Sequence, residues 1–275
     1  MTSTSTSGSP GTTTAEARRT ERSGVRRPTS RPRVLGVELR KMFDTRSGLW
    51  LMIAIAVTAI LATAAVVVFA PDDELTYSAF GTAIGVPMSV LLPVVAILSV
   101  TSEWSQRSGL TTFTLVPSRG RVIAAKAACA VGVGVVSMVL AFAIGAVGNI
   151  VGTAIAGVDT VWNASPTELA QIVLANVLGP LVGFMLGVLI RNSAGAIVGY
   201  FVYSFVLPSL SMLLAASQDW WRDLQPWVDV NAAQMPLFDA SVTGEQWTHL
   251  AVTTLVWLVL PIAVGVRLVM RSEVK

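Results

Sequence analysis

Six long apolar stretches dominate this 275-residue sequence and decide what it can fold into. Each runs for about 23 residues, so a helix of about 1.5 Å rise per residue spans about 34 Å, enough to cross a hydrocarbon core of about 30 Å. No stretch has a charge in its middle. Because lipid offers no partner to a backbone amide, such stretches must be helical. The sequence therefore predicts an all-α, polytopic membrane protein. We expect its spans at residues 48–70, 79–101, 122–147, 168–190, 194–216 and 248–270.

The composition agrees with a membrane protein and argues against a nucleic-acid partner. Only 13% of the residues are charged, about half the fraction of a soluble domain. The net charge is only +3, and the basic residues are concentrated beside the apolar stretches, which favours contact with lipid head groups. The single cysteine, Cys129, lies inside the third stretch. It forms neither an internal disulfide nor, by itself, a metal site, and we expect it in the core.

The chain before the first span falls into two parts. Residues 1–32 are rich in Ser, Thr, Gly, Pro and Arg, a composition that predicts a disordered cytoplasmic tail. Residues 33–46 differ, because Leu35, Leu39, Met42 and Phe43 share one side at helical spacing. This pattern predicts a short amphipathic helix in the head-group plane that leads into the first span. Residues 33–275 then form the membrane domain.

Charge predicts the orientation of the six spans. With a cytoplasmic N-terminus, 18 of the 19 Lys and Arg residues lie on the cytoplasmic side and only Arg222 lies outside. Of the 16 acidic residues, 10 lie outside. We therefore expect both termini in the cytoplasm. The largest outer segment, 217–247, is rich in tryptophan, which predicts a short interfacial or re-entrant helix near 217–230.

The sequence has no motif for catalysis. It lacks a GxxxxGK[ST] phosphate loop, an HExxH metal motif and a GxSxG nucleophile motif, and its one histidine is His249. We expect no catalytic, cofactor or metal site in this chain. No acid–base pair lies within a span, which disfavours an intramembrane enzyme or a proton-driven carrier. Asn149 and Asn176 are polar positions within or beside the spans; they either bond neighbouring helices or line a substrate pathway.

Other residues shape the helices. Pro87 and Pro93 in the second span and Pro208 in the fifth should bend or loosen them. Paired glycines, including Gly183 and Gly187, should let helices approach closely.

The cytoplasmic connection between spans two and three, residues 102–121, is the most unusual segment. Leu110, Phe113 and Leu115 form a short apolar face that Pro117 ends. A helix this short is marginal in water and needs a surface to dock on. That surface is either a cytoplasmic partner protein or the lipid, and the residues alone leave both open.

The same connection resembles that of the membrane subunits of ABC-2 type transporters, with the pattern S-E-x(n)-G-T-x(n)-P-x-R-x-R-V-x-x-x-K. The matching residues are Ser102, Glu103, Gly109, Thr111, Pro117, Arg119, Arg121, Val122 and Lys126. One departure is Leu110, which separates the glycine from the threonine. The resemblance covers residues 33–275 and includes the amphipathic entry helix, the six spans and the cytoplasmic ends.

The resemblance implies a bacterial plasma-membrane permease that exports a drug, antibiotic, lipid or other amphipathic substrate. Two cytoplasmic ATP-binding subunits would bind and hydrolyse the ATP, and the permease would pair as a homodimer or heterodimer. Helix 33–46 would be the connecting helix. The implied ATPase-coupling residues are Glu103, Gly109, Leu110, Phe113, Pro117, Arg119 and Arg121. The alternative is a membrane scaffold or regulatory subunit that transports nothing.

Overall fold

Six long helices make up most of the structure. The computed structural model describes residues 36–37, 39–40, 46–105, 119–238 and 242–271. These residues form helices and turns and no β-strand; one isolated bridge joins Thr76 to Val161. Six helices are long and apolar enough to cross a membrane. The predicted all-α, multi-pass fold is thus confirmed.

The helices are numbered here in chain order. They are α1 (Arg46–Phe69), α2 (Tyr77–Ser105), α3 (Arg119–Ala156), α4 (Pro166–Ile190), α5 (Ser193–Ser217), α6 (Asp219–Val228), α7 (Val230–Gln234) and α8 (residues 244–271). Short 3₁₀ turns occupy Asp72–Glu74 and Met235–Phe238. Gly36, Val37, Leu39 and Arg40, within the predicted amphipathic segment, are helical as well. Helix α6 lies where the tryptophan-rich segment predicts an interfacial helix.

The spans begin and end where local capping allows. Helix α4 starts at Pro166 because Ser165 and Glu168 form a reciprocal capping box. Thr243 and Gln246 form another, so α8 starts at Gly244, four residues before the predicted span. Helix α3 runs for 38 residues to Ala156, well beyond the predicted boundary at 147.

Two ends of the bundle are distinguished by charge. At the basic end α2 ends at Ser105, α3 begins at Arg119, and Arg191 links α4 to α5. Arg191 adopts a left-handed conformation with φ of 55°, and Asn192 caps α5 by accepting a hydrogen bond from the Gly195 amide. At the acidic end lie the Asp72–Glu74 turn and helices α6 and α7.

The core is the contact between α2 and α4. Gly179, Gly183 and Gly187 form one stripe of α4 at a spacing of four residues, as in small-xxx-small packing. A Cβ on Gly183 would lie 2.7 Å from the carbonyl oxygen of Pro93. A Cβ on Gly187 would overlap the side chain of Val100. The two backbones therefore approach closely, and the predicted role of Gly183 and Gly187 in helix packing is confirmed.

A second glycine pair joins three helices near the acidic end. Gly148 and Gly152 of α3 leave room for the ring of Phe80 from α2, which is fully buried. On the same face Gly148 meets Thr63, and Gly152 meets Val67, both from α1. The small residues of α3 thereby hold α1 and α2 together at this end.

Two of the prolines within the spans follow a widened turn. In α5 a π turn, Val202–Val206, stands directly before Leu207–Pro208, and in α8 a π turn, Leu255–Val259, stands directly before Leu260–Pro261. A proline clashes with the carbonyl four residues earlier, and a wider turn relieves that clash. Around Pro87 and Pro93, in contrast, α2 stays α-helical throughout.

Candidate functional site

The predicted ATPase-coupling residues fall at the edge of the described structure. Glu103 belongs to the last turn of α2, and Arg119 and Arg121 belong to the first turn of α3, but their side chains are not among those described. Gly109, Leu110, Phe113 and Pro117 lie outside the described residues.

Near the 102–121 connection, polar contacts join α2 to α3 and α5. The Nζ of Lys126 in α3 donates a hydrogen bond to the backbone oxygen of Ser99 in α2, at 3.1 Å. The hydroxyls of Thr101 in α2 and Ser193 in α5 lie 2.8 Å apart. Lys126 and Thr101 are both buried. At this level α2 is therefore hydrogen-bonded to both α3 and α5 through buried polar groups.

Helix α8 also reaches the basic end. A Cβ on Gly120 would lie 3.9 Å from the Sδ of Met270, so the start of α3 lies beside the end of α8. A Cβ on Gly265 would lie 2.9 Å from Val188 of α4. At this end α3 therefore contacts α2 and α8, α2 contacts α5, and α8 contacts α4.

Asn149 is fully buried near the acidic end of α3. Its Nδ2 donates to the carbonyl oxygen of Val161 at 2.9 Å, and the amide of Tyr77 donates to the same oxygen. Its Oδ1 is buried and has no hydrogen-bond partner in the described structure. The carbonyl oxygen of Val161 thus joins the α3–α4 connection both to Asn149 of α3 and to the start of α2.

Asn176 lies in the buried middle of α4 and belongs to a different environment. Its Nδ2 donates to the carbonyl oxygen of Ile172, one turn earlier in the same helix. The structure therefore does not bring the two predicted asparagines into one polar cluster by these bonds. Whether either one lines a pathway stays a prediction.

Polar groups converge instead where the two π turns face α6 and α7. The indole nitrogen of Trp257 donates to the carbonyl oxygen of Val228 at 2.6 Å. The Nδ2 of Asn231 lies 3.5 Å from the carbonyl oxygen of Tyr203. The buried hydroxyl of Tyr203 has no hydrogen-bond partner in the described part of the chain. These residues line a cavity of about 290 Å³, and π turns are frequent at functional sites. Sequence reasoning missed this cluster, and the Leu-Pro pairs do not signal it, because Leu92-Pro93 of α2 follows an ordinary α-helical turn.

A more polar pocket, of about 320 Å³, is lined by His249 at the acidic end. The imidazole packs edge-on against Trp227, with ring centroids 4.2 Å apart, and its Nε2 lies 3.8 Å from a carboxylate oxygen of Glu245. No hydrogen bond reaches that nitrogen in the described structure. Among the described residues no group of three His, Cys, Asp or Glu side chains is placed to hold a metal ion.

Two large apolar spaces lie between α1 and α3. One cavity of about 600 Å³ reaches from Leu39 to Ile144 and is backed by Met88 of α2. A second of about 600 Å³ follows the same seam toward the acidic end. Apolar spaces of this size, with few polar groups, suit an apolar ligand rather than a charged one. A comparison of the chain with protein-family models and with curated proteins finds no match.

Proposed function

We propose that this chain is the membrane-spanning permease subunit of an ATP-driven ABC exporter of the bacterial plasma membrane. A separate cytoplasmic subunit supplies the ATPase, and the substrate is amphipathic. One observation carries the proposal: the 102–121 connection, with its ABC-2-like residues, joins two spans at the basic end of a six-helix bundle. Among the described long helices and their links, Lys126, Arg191 and Arg267 lie toward that end and Arg222 toward the other, as expected if the basic end is cytoplasmic.

The hydrogen bonds of α2 near the 102–121 connection give this function a mechanical basis. An ATPase that grips residues 102–121 would move the ends of α2 and α3 together, because Lys126 and Ser99 join them. The Thr101–Ser193 contact would pass that movement to α5. The ATPase thereby stabilises one of two arrangements of the packed helices relative to the other. In this way a partner that binds nucleotide changes the conformation of a helix bundle that binds none.

A second permease would complete the pathway. Helices α1 and α5 are the least buried of the six spans, and both pack beside α2. The exposed face of α5 includes Phe201 and Phe205, whose rings stack 5.8 Å apart. We assign the faces of α1, α2 and α5 to the side that meets the second copy, either of this chain or of a different permease.

The orientation is tested with single cysteines in a Cys129→Ala background, which removes the only native thiol. A membrane-impermeant maleimide added to intact cells should label a cysteine at Gln218 and spare one at Ser108. Permeabilised cells should label both. Labelling of Ser108→Cys in intact cells would refute the proposal, because no cytoplasmic ATPase could then reach the connection.

The partner is tested by co-purification with a P-loop ATPase encoded beside this chain. Phe113→Glu should abolish association while membrane insertion is unchanged, because it places a charge on the apolar face of the connection. Thr112→Glu, which adds the same charge one position away, should retain association. Undiminished ATPase in the Phe113→Glu preparation would contradict the proposal. A scaffold or regulator would bind the ATPase without any substrate stimulating its ATP turnover.

A further inference from the structure

The junction of α6 and α7 places an acidic side chain, Asp229, deep within the bundle. The indole nitrogen of Trp257 donates to the carbonyl oxygen of Val228, and the Nδ2 of Asn231 lies 3.5 Å from the carbonyl oxygen of Tyr203. Tyr203 lies near the middle of the α5 span, and Trp257 lies near the middle of the α8 span. Asp229 stands between Val228 and Asn231 in the sequence. It therefore lies at a level where the neighbouring spans cross the lipid.

The carboxylate of Asp229 has no cationic partner. Its Oδ1 accepts hydrogen bonds from the backbone amides of Asn231 and Ala232 and so caps α7. Its Oδ2 accepts no hydrogen bond in the described structure, and the carboxylate takes part in no ion pair there. Ionisable groups at membrane depth are costly, and they usually pair with one another or face a cavity that serves a function. Asp229 thus lacks the counter-charge that would offset its burial.

The cavity of about 290 Å³ beside Asp229 is rich in aromatic rings. Tyr203, Trp221 and Trp257 line it together with Asp229. The faces of aromatic rings attract ammonium groups, and aromatic cages are the usual sites for quaternary ammonium ligands. No Lys or Arg belongs to the lining in the described part of the chain. Three rings and a carboxylate together complement a cation and disfavour an anion.

The rest of the lining suits an apolar chain. Leu207, Leu210 and Leu214 of α5 line the cavity on the side toward the acidic end. Leu207 and Leu210 are 44% and 57% exposed, so the cavity is open along this part of the span. A cation held at Asp229 can therefore place an alkyl chain along these leucines.

We propose that this cavity binds an amphipathic cation, with a quaternary ammonium group at Asp229 and the three rings and with an alkyl chain along the leucines of α5. A bound cation supplies the missing counter-charge, and the pair is stronger at low dielectric than in water. The volume lies near the lower end of small-molecule pockets, about 300 Å³, and favours a single-chain ligand. The proposal does not rest on the transport function, because a scaffold would bind the same cation.

The test measures binding of tritiated octyltrimethylammonium to the full-length protein in nanodiscs, after subtraction of empty nanodiscs. Asp229→Asn removes the charge and keeps the cap of α7, because Asn caps a helix about as well as Asp. Asp223→Asn removes the same charge from an exposed residue of α6 that is not among the lining residues. Asp229→Asn should weaken binding by about tenfold or more, and Asp223→Asn should leave it unchanged. Unchanged affinity in Asp229→Asn, or an equal loss in the two variants, would overturn the proposal.

Competition on the unsubstituted protein keeps the test independent of any effect of a substitution on folding. Unlabelled octyltrimethylammonium should displace the probe, and octanesulfonate, which has the same chain and the opposite charge, should not. Tetramethylammonium lacks the chain, so it should need a concentration about tenfold higher or more. Equal displacement by octanesulfonate would rule out a cation site, and equal displacement by tetramethylammonium would rule out the leucines as the site of the chain.

Two leucines of α5 test the location of the alkyl chain. Leu210 lines the cavity and is 57% exposed, whereas Leu213 is 68% exposed and is not among the lining residues. Leu210→Trp should fill part of the cavity and lower the affinity several-fold, and Leu213→Trp should leave the affinity unchanged. Equal affinities in the two variants would contradict the proposed location.

A last arm distinguishes a free cation from a lipid head group. Phosphatidylcholine carries the same quaternary ammonium, but its phosphate and two acyl chains do not fit a single-chain cavity beside a carboxylate. Nanodiscs with and without phosphatidylcholine should therefore give the same affinity for octyltrimethylammonium. A several-fold lower affinity in phosphatidylcholine would show that a head group occupies the site and would overturn the assignment to a free cation.

Discussion

Tyr200 completes a hydrogen bond that Pro93 cannot make. In α2 the carbonyl oxygen of Ser89 would normally accept from the amide four residues later, but that residue is Pro93, which has no amide hydrogen. The hydroxyl of Tyr200 in α5 donates to this oxygen instead, at 2.8 Å. Tyr200→Phe removes the donor and keeps the shape of the ring, so it isolates the value of the bond.

The expected loss follows from burial. Tyr200 is only 4% exposed, so no solvent replaces the hydroxyl, and a buried acceptor left without a donor costs about 1–3 kcal/mol. Hydrogen bonds between helices within a membrane average about 0.6 kcal/mol and reach about 1.7 kcal/mol. We expect Tyr200→Phe to lower the free energy of unfolding by about 1–1.7 kcal/mol, where the two ranges overlap.

Tyr203→Phe is the matched control, because it deletes the same atom from the same helix. The Tyr203 hydroxyl is buried and has no hydrogen-bond partner in the described structure. Its removal should leave the free energy of unfolding unchanged or slightly raise it. The assay is reversible unfolding in mixed micelles titrated with sodium dodecyl sulfate, followed by the fluorescence of the eight tryptophans. Equal losses in the two variants, or no loss in Tyr200→Phe, would refute the reasoning.

Three other predictions use the same preparation. Gly183→Ala should lower the free energy of unfolding by about 1–3 kcal/mol, because its Cβ meets the Pro93 backbone. Gly132→Ala should leave the free energy of unfolding unchanged, because its Cβ meets no heavy atom within 4 Å. Equal losses of stability in the two variants would contradict this prediction. Ser165→Ala should cost about 1 kcal/mol and speed amide exchange in the first turn of α4, since it removes the cap; unchanged exchange would count against the capping box. The purified chain alone should hydrolyse no ATP in a phosphate-release assay, and any turnover that follows this chain through purification would contradict our proposal.

The fold was predictable where long apolar runs decide it, and less so where single contacts do. Six spans follow from hydropathy because a bilayer permits only helices there. Boundaries shifted where polar caps extended a helix, as at Thr243. The sequence indicated that Pro208 would disturb α5, but the form of the disturbance, a π turn, depends on the packing around it. The Tyr200–Ser89 bond joins residues 111 positions apart, and no local pattern reports such a pair.

The candidate site was predictable only in part for the same reason. The residues of the 102–121 connection stand together in the sequence, so a motif identifies them. The cavity between α1 and α3 is lined by residues of the two helices that are more than 70 positions apart in the sequence, and it depends on how far the helices diverge. Gly132 looks in the sequence like any other packing glycine, yet nothing packs on it.

The π turn of α5 determines the direction in which the side chains that follow it point. Before the turn, Ala196 and Tyr200 face inward and are buried; after it, from Leu207 to Ser217, no residue is buried. A π turn holds one residue more than the α-helical path, and each residue of an α-helix turns the chain by about 100°. Deleting a single residue between Val202 and Val206 would therefore restore the α-helical path and leave the half beyond the turn in place, whereas closing the π turn into an α-helix without a deletion would rotate that half by about 100°. The direction in which the eleven side chains of Leu207–Ser217 point thus depends on the one extra residue of the π turn.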